Sequence, residues 1–166
     1  VCMEYYWGSD LLKLNFGMEA RHHHGQGFVR QERPLVPADY FDRLERLGVA
    51  SFGIITGRNA IELEVGLQTL GIAGDPRFRV MIDSTQARKP DPAALRAALS
   101  QLAPAQALYI VDSGDDLHLV LNYRRAADPY DPPCLAAMLA RHGQRVRLEA
   151  AGAYLVLDQA VELIDA

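Results

Sequence analysis

The sequence predicts an α/β protein built on a doubly wound, Rossmann-like parallel sheet. Three observations predict it. Short apolar runs at Val49 to Ile55, Phe78 to Ile82 and Ala107 to Val111 read as strands buried on both faces. Each run is followed by a segment of helical periodicity. Gly48 and Gly71 stand where helices should stop. Strands that alternate with helices imply a parallel sheet covered on both sides.

Residues 1–20 read as a helix with Tyr5, Leu11, Leu12 and Leu14 apolar, stopping near Gly17. A polar loop from Arg21 to Pro37 carries His22-His23-His24. Pro37 or Ala38 opens a helix to Leu47, with Phe41, Leu44 and Leu47 on one face. After the first strand, Asn59 to Leu70 is helical. After the second, Asp91 to Leu102 is helical, with Pro92 in the first turn, where its missing N–H is not needed. Asp115 to Arg125 follows the third strand. Asp128 to Pro133 is a rigid connection, and Leu135 to His142 is expected to be a helix. Ala153 to Leu157 closes the series as a strand and Gln159 to Ile164 as a helix.

The chain of 166 residues is long enough for one buried core. A net charge of −4 gives no support to nucleic-acid or anionic-membrane partners. No apolar stretch reaches the roughly 18 residues a membrane span needs, and the N-terminus has no secretory pattern. Cys2 and Cys134 make no disulfide framework, so the cytoplasm is the expected compartment. Val1 stands where a Met would be expected. The basic residues are nearly all Arg; only Lys13 and Lys89 are Lys. A lysine at a motif position is therefore conspicuous, and its compact ammonium differs chemically from a guanidinium fork.

Three segments carry chemistry. Gly53-Ile54-Ile55-Thr56-Gly57-Arg58 places a hydroxyl after a strand. Arg88-Lys89-Pro90-Asp91-Pro92 places an amine before a helix. Tyr109-Ile110-Val111-Asp112-Ser113-Gly114-Asp115-Asp116 places carboxylates after another strand. Ligands of open parallel sheets bind beyond the carboxyl ends of the strands, so all three can converge on one rim. There Thr56, with the Gly57 and Arg58 amides, can bind phosphoryl oxygens. Lys89 can compensate phosphoryl charge, and Asp112 with Asp116 or Asp115 can hold Mg²⁺. Plainer roles exist for each residue. Thr56-Gly57 is also a strand-to-helix turn, Lys89 a solvated loop lysine, Asp112 a helix cap and Arg58 a surface residue. The adjacent histidines lack the spacing of a metal site, and Cys134 reads as a small buried hydrophobe.

On these segments the chain resembles the haloacid dehalogenase (HAD) superfamily, and most of all its subfamily I, phosphoglycolate phosphatase-like members with a small helical cap. Thr56 matches the family's second motif, Lys89-Pro90-Asp91-Pro92 the third, and Asp112 with Asp116 the acidic fourth. The resemblance covers residues 38–126 well and the remainder loosely. It implies a cap-derived helix and return loop over 1–37 and an α/β core over 38–166. It also implies Mg²⁺-dependent hydrolysis of a small phosphomonoester through an aspartyl-phosphate.

Two departures stand out. Val111 occupies a position where the family usually has Gly. The first motif, Asp-x-Asp-Gly, which supplies the nucleophile, is absent. Asp10, Asp39 and Asp42 sit in helical patterns without a preceding strand. The expectation is therefore an N-terminally truncated hydrolase lacking its central first strand and inactive as an isolated chain. The missing strand should leave a gap, or a non-native pairing, between the strands ending at Thr56 and Asp112, with self-association through the open edge. The alternative is a non-catalytic binding or interaction module that has lost the nucleophile. A nucleotide-binding domain is disfavoured, because neither Gly-x-Gly-x-x-Gly nor Gly-Lys-Ser/Thr is present.

Overall fold

The computed structural model describes residues 2–86, 88–140 and 144–165. The helical segment α1 (Cys2–Phe16), broken by a kink at Gly8, is followed by a short 3-10 helix (Phe28–Gln31) and α2 (Tyr40–Arg46). Then come β1 (Phe52–Ile55), α3 (Ala60–Leu70), β2 (Phe78–Ile82), α4 (Ala93–Leu102), β3 (Ala107–Val111) and α5 (Gly114–Ala126). The chain closes with β4 (Cys134–Leu139), α6 (Arg145–Ala150), β5 (Leu155–Leu157) and a 3-10 helix (Ala160–Ile164).

The strands form two parallel sheets, β1-β2 and β3-β4-β5. No ladder joins β1 to β3, so the expected gap is present. The Tyr109 hydroxyl on β3 reaches the Ile55 carbonyl on β1 at 3.3 Å. Leu108 and Ile110 on β3 are exposed. The sheets are held together from one side by α4, which packs against β1, β2 and α5. One core therefore runs across both sheets: Val80 and Ile82 of β2, Leu95 and Leu99 of α4, Leu119 and Val120 of α5, and Met138 of β4. Burying such side chains stabilises by about 1.5–3 kcal/mol each, which keeps the two sheets in one body without a ladder between them.

Two expectations fail at the C-terminal end. Leu135 to Leu139 lies in the central strand of the second sheet instead of a helix; Arg141 and His142 lie outside the described residues. Leu, Ala and Met favour helix intrinsically, but here β3 and β5 pair with β4 on both edges and its faces are buried. Small Ala136 and Ala137 suit that covered position. The sequence reading also passed over α6. Parallel β4 and β5 require a crossover, and α6 is part of it.

The N-terminal segment folds around Trp7, Leu12 and Val29, which pack against Ile61 and Val65 of α3. Two backbones cross there. Gly8 has φ of +75° and bridges Gln26, and a Cβ on Gly27 would lie 2.1 Å from the Trp7 carbonyl carbon. Only glycine fits that crossing. On its other side α3 meets a second cluster, where Leu67, Ile72 and Phe78 pack with Phe41 and Phe52. No helix among the described residues is long and apolar enough to cross a membrane.

Candidate functional site

Parallel pairing brings the carboxyl ends of β1 and β2 to one rim, and the end of β3 lies beside them. An open cleft of about 530 Å³ lies there, lined by Thr56, Gly57, Ser84, Arg88, Lys89, Ser113 and Asp115. Thr56 and Gly57 come from the β1–α3 turn. That turn is shaped by α3, whose first turn carries a reciprocal cap. Asn59 accepts from the Glu62 amide at 3.0 Å and Glu62 from the Asn59 amide at 3.1 Å. Thr56 Oγ1 accepts from the Arg58 amide at 3.2 Å. Ser84 follows Asp83, a buried carboxylate that accepts from the Thr85 amide and hydroxyl at 2.7 and 2.6 Å. Those Thr85 hydrogen bonds hold the Asp83 carboxyl below its ordinary range, against the opposing effect of burial.

Lys89 enters from the loop before α4, where the Lys89–Pro90 peptide is cis. Its ammonium lies 2.5 Å from Asp116 Oδ1. Asp116 is buried on the first turn of α5. The same Oδ1 accepts from the Tyr109 hydroxyl at 3.1 Å, and Oδ2 from the Ser113 hydroxyl at 2.5 Å. Burial first, then the Asp116 charge, pushes the Tyr109 hydroxyl well above its ordinary range. It therefore stays a neutral donor.

The predicted residues separate into two groups. Thr56, Gly57 and Lys89 line the cleft together. Arg58, Asp112 and Asp116 are not in its lining. The Arg58 guanidinium turns away and binds Glu32, at 2.8 Å through Nη2 and 3.2 Å through Nη1. Asp112 is exposed just past β3. Ser113, not Asp112, caps α5, accepting from the Asp116 amide at 3.3 Å. Asp115, offered by the sequence as an alternative to Asp116, lines the cleft. Sequence reasoning also missed Ser84, Tyr109 and Ser113. Ser113 had a visible signal, since a serine three residues before an aspartate at a helix start is a capping pattern. Ser84 and Tyr109 had none.

Among the described residues no three His, Cys, Asp or Glu side chains group as a closed metal cage would require. The backbone amides of His22 and His23 bind the buried Glu4 carboxylate at 2.7 and 3.2 Å, and the His23 ring stacks on Tyr5. Mg²⁺ needs less than a cage. One or two carboxylates suffice, with water and substrate oxygens in the remaining positions. The exposed carboxylate of Asp112, at the strand end, meets that need by donor type.

No protein-family model matches the sequence, and none of the curated proteins compared with it does. Solved structures do match. A HAD-superfamily hydrolase from Ehrlichia chaffeensis superposes with a TM-score of 0.55 at 16% identity, over 76% of this chain and 53% of that one. The phosphatase Tt82 from Thermococcus thioreducens gives 0.53 at 22% identity, over 76% and 57%. A subfamily IA HAD-superfamily hydrolase from Geobacter sulfurreducens gives 0.50 at 20%, over 76% and 53%. The fold is HAD-like. The chain spans little more than half the length of these structures. Its α/β architecture is that of a Rossmann-like HAD fold lacking some strands.

Proposed function

We propose that this chain carries the phosphoryl-binding part of a HAD-type hydrolase acting on a small phosphomonoester. The convergence of Thr56, Gly57 and Lys89 on one cleft carries the reading. The Thr56 hydroxyl and Gly57 amide would donate to phosphoryl oxygens, and Lys89 would offset their charge. Lys89 has protons beyond the one directed at Asp116, because an ammonium carries three donors. Asp112 would hold Mg²⁺, which when bound supplies charge neutralisation at a phosphoryl oxygen. Asp116 fixes Lys89, and Ser113 and Tyr109 fix Asp116. Residues 1–37 are read as a segment derived from the cap. The hydrolase and phosphatase names of the structural neighbours favour phosphoester chemistry over other uses of this sheet.

One observation favours a second reading, a binding module without turnover. The sequence contains no Asp-x-Asp anywhere. The hydrolase reading, and a module that binds phosphate, both require phosphate in the cleft; a pure interaction module does not. Titrating inorganic phosphate with Mg²⁺ into the ¹⁵N-labelled chain is expected to shift the amides of Gly57, Arg58 and Ser113. Lys89→Ala is expected to weaken the effect. Shifts confined to other regions would remove the assignment.

A further inference from the structure

Arg58 belongs to two parts of the molecule. Its backbone belongs to the cleft: the amide donates to Thr56 Oγ1 at 3.2 Å, and the carbonyl accepts from the Ser84 amide at 3.0 Å. Thr56 and Ser84 both line the cleft. Its side chain belongs to the N-terminal segment. The guanidinium grips both oxygens of Glu32 and lies over Gly66 of α3, where an added Cβ would approach Nη1 to 3.4 Å. Glu32 caps the C-terminal end of the Phe28–Gln31 3-10 helix. The Tyr6 hydroxyl of α1 donates to Glu32 Oε1 at 2.8 Å. The chain Tyr6–Glu32–Arg58 thus runs from the Trp7 cluster to the phosphoryl turn.

We propose that Glu32 and Arg58 are positioning residues. Glu32, fixed by Tyr6, holds the Arg58 side chain on α3, so that the Arg58 backbone presents Thr56 and Ser84 to a phosphate group. The proposal rests on the phosphoryl reading above. The ion pair contributes direction more than strength. Both side chains are partly solvated, at 38% and 26% exposure, so the charge term is screened. The two-pronged contact still fixes the guanidinium plane, because each nitrogen has its own oxygen. Glycine at 57 gives the turn no side chain of its own to anchor it. Arg58 therefore adds its restraint to that of the Asn59–Glu62 cap, and the N-terminal segment becomes part of the site without touching ligand.

The test uses the 166-residue chain and three variants: Glu32→Gln, Arg58→Ala and the pair combined. Amide resonances are recorded without ligand and during titration with inorganic phosphate and Mg²⁺. In each single variant the ligand-free amides of Gly57 and Ser84 are expected to shift, and phosphate affinity to fall about three- to tenfold. The double variant should be no weaker than either single one, since the two residues act as a unit. Unmoved Gly57 and Ser84 amides in Glu32→Gln overturn the positioning role, even if thermal stability drops. Tighter phosphate binding by Glu32→Gln overturns it too, because Glu32 would then act only as an opposing charge. If those amides shift but phosphate leaves the unmodified chain unchanged, the coupling stands and the phosphoryl reading is overturned.

Discussion

Lys89 Nζ stands 2.5 Å from Asp116 Oδ1, and this contact ties the loop before α4 to the first turn of α5. The two elements lie on the two sides of the break between β1 and β3. Tyr109 adds a second tie, since its hydroxyl lies within reach of both Asp116 and the Ile55 carbonyl. The pair therefore has two jobs, placing an amine in the cleft and connecting the sheets.

The first prediction follows from burial. The Asp116 side chain is 8% exposed and that of Lys89 20%. Lys89→Met leaves a buried carboxylate with only the Tyr109 and Ser113 hydroxyls as donors, and is expected to cost about 2–4 kcal/mol. Lys89→Met combined with Asp116→Asn should cost clearly less than the sum of the two single changes. Urea unfolding of the three variants measures this. Simple additivity would mean that the pair is not coupled.

The crossing of Gly8 and Gly27 gives a second prediction. Gly27→Ala forces a Cβ into the Trp7 and Gly8 backbone, where no side chain can move aside. The expected loss is about 2 kcal/mol or more, concentrated in the N-terminal segment. Trp7 is the only tryptophan and is fully buried, so its emission reports that segment alone. A red shift at denaturant concentrations that leave far-ultraviolet dichroism intact is the expected result.

Glu32 gives a pH prediction. Burial alone would raise its carboxyl, but hydrogen bonds from Arg58 and Tyr6 outweigh this and hold it below the ordinary 4.5. Burial and the bond to Glu32 push the Tyr6 hydroxyl up to about 12, so it remains a donor throughout. A carboxyl lowered on folding contributes stability that is complete above its unfolded value. That contribution fades as pH falls through the folded value. The Glu32 side-chain carbon signal should therefore titrate below 4.5. Arg58→Ala should move the midpoint upward. A midpoint indifferent to Arg58 would place the pair apart in solution.

The absent Asp-x-Asp pattern sets a fourth expectation. The 166-residue chain, with Mg²⁺, should leave p-nitrophenyl phosphate intact while still binding phosphate. Steady hydrolysis abolished by Asp112→Ala would show that another group serves as nucleophile.

Much of this was legible in the sequence, for physical reasons. Strands β2 and β3 match the expected spans residue for residue, because continuous apolar runs bounded by turn residues have few other solutions. Helix α3 was expected from Asn59, which proves to be its cap. Thr56 and Lys89 could be placed on one rim because parallel strands end on the same side. What failed depended on neighbours. Leu135 to Leu139 is locally helical in character and becomes a strand only because β3 and β5 flank it.

The sequence by itself determined the α/β class, the order of most elements and the residue types gathered at the rim. Local periodicity and turn chemistry act over a few residues and need no partner. Only the tertiary structure decided which charges meet. It sent the Arg58 guanidinium to Glu32, 26 residues away along the chain, and spent the carboxylate of Asp116 on Lys89, 27 residues away. Side-chain pairing across such distances depends on how helices pack around the sheets. No periodicity along the chain records it.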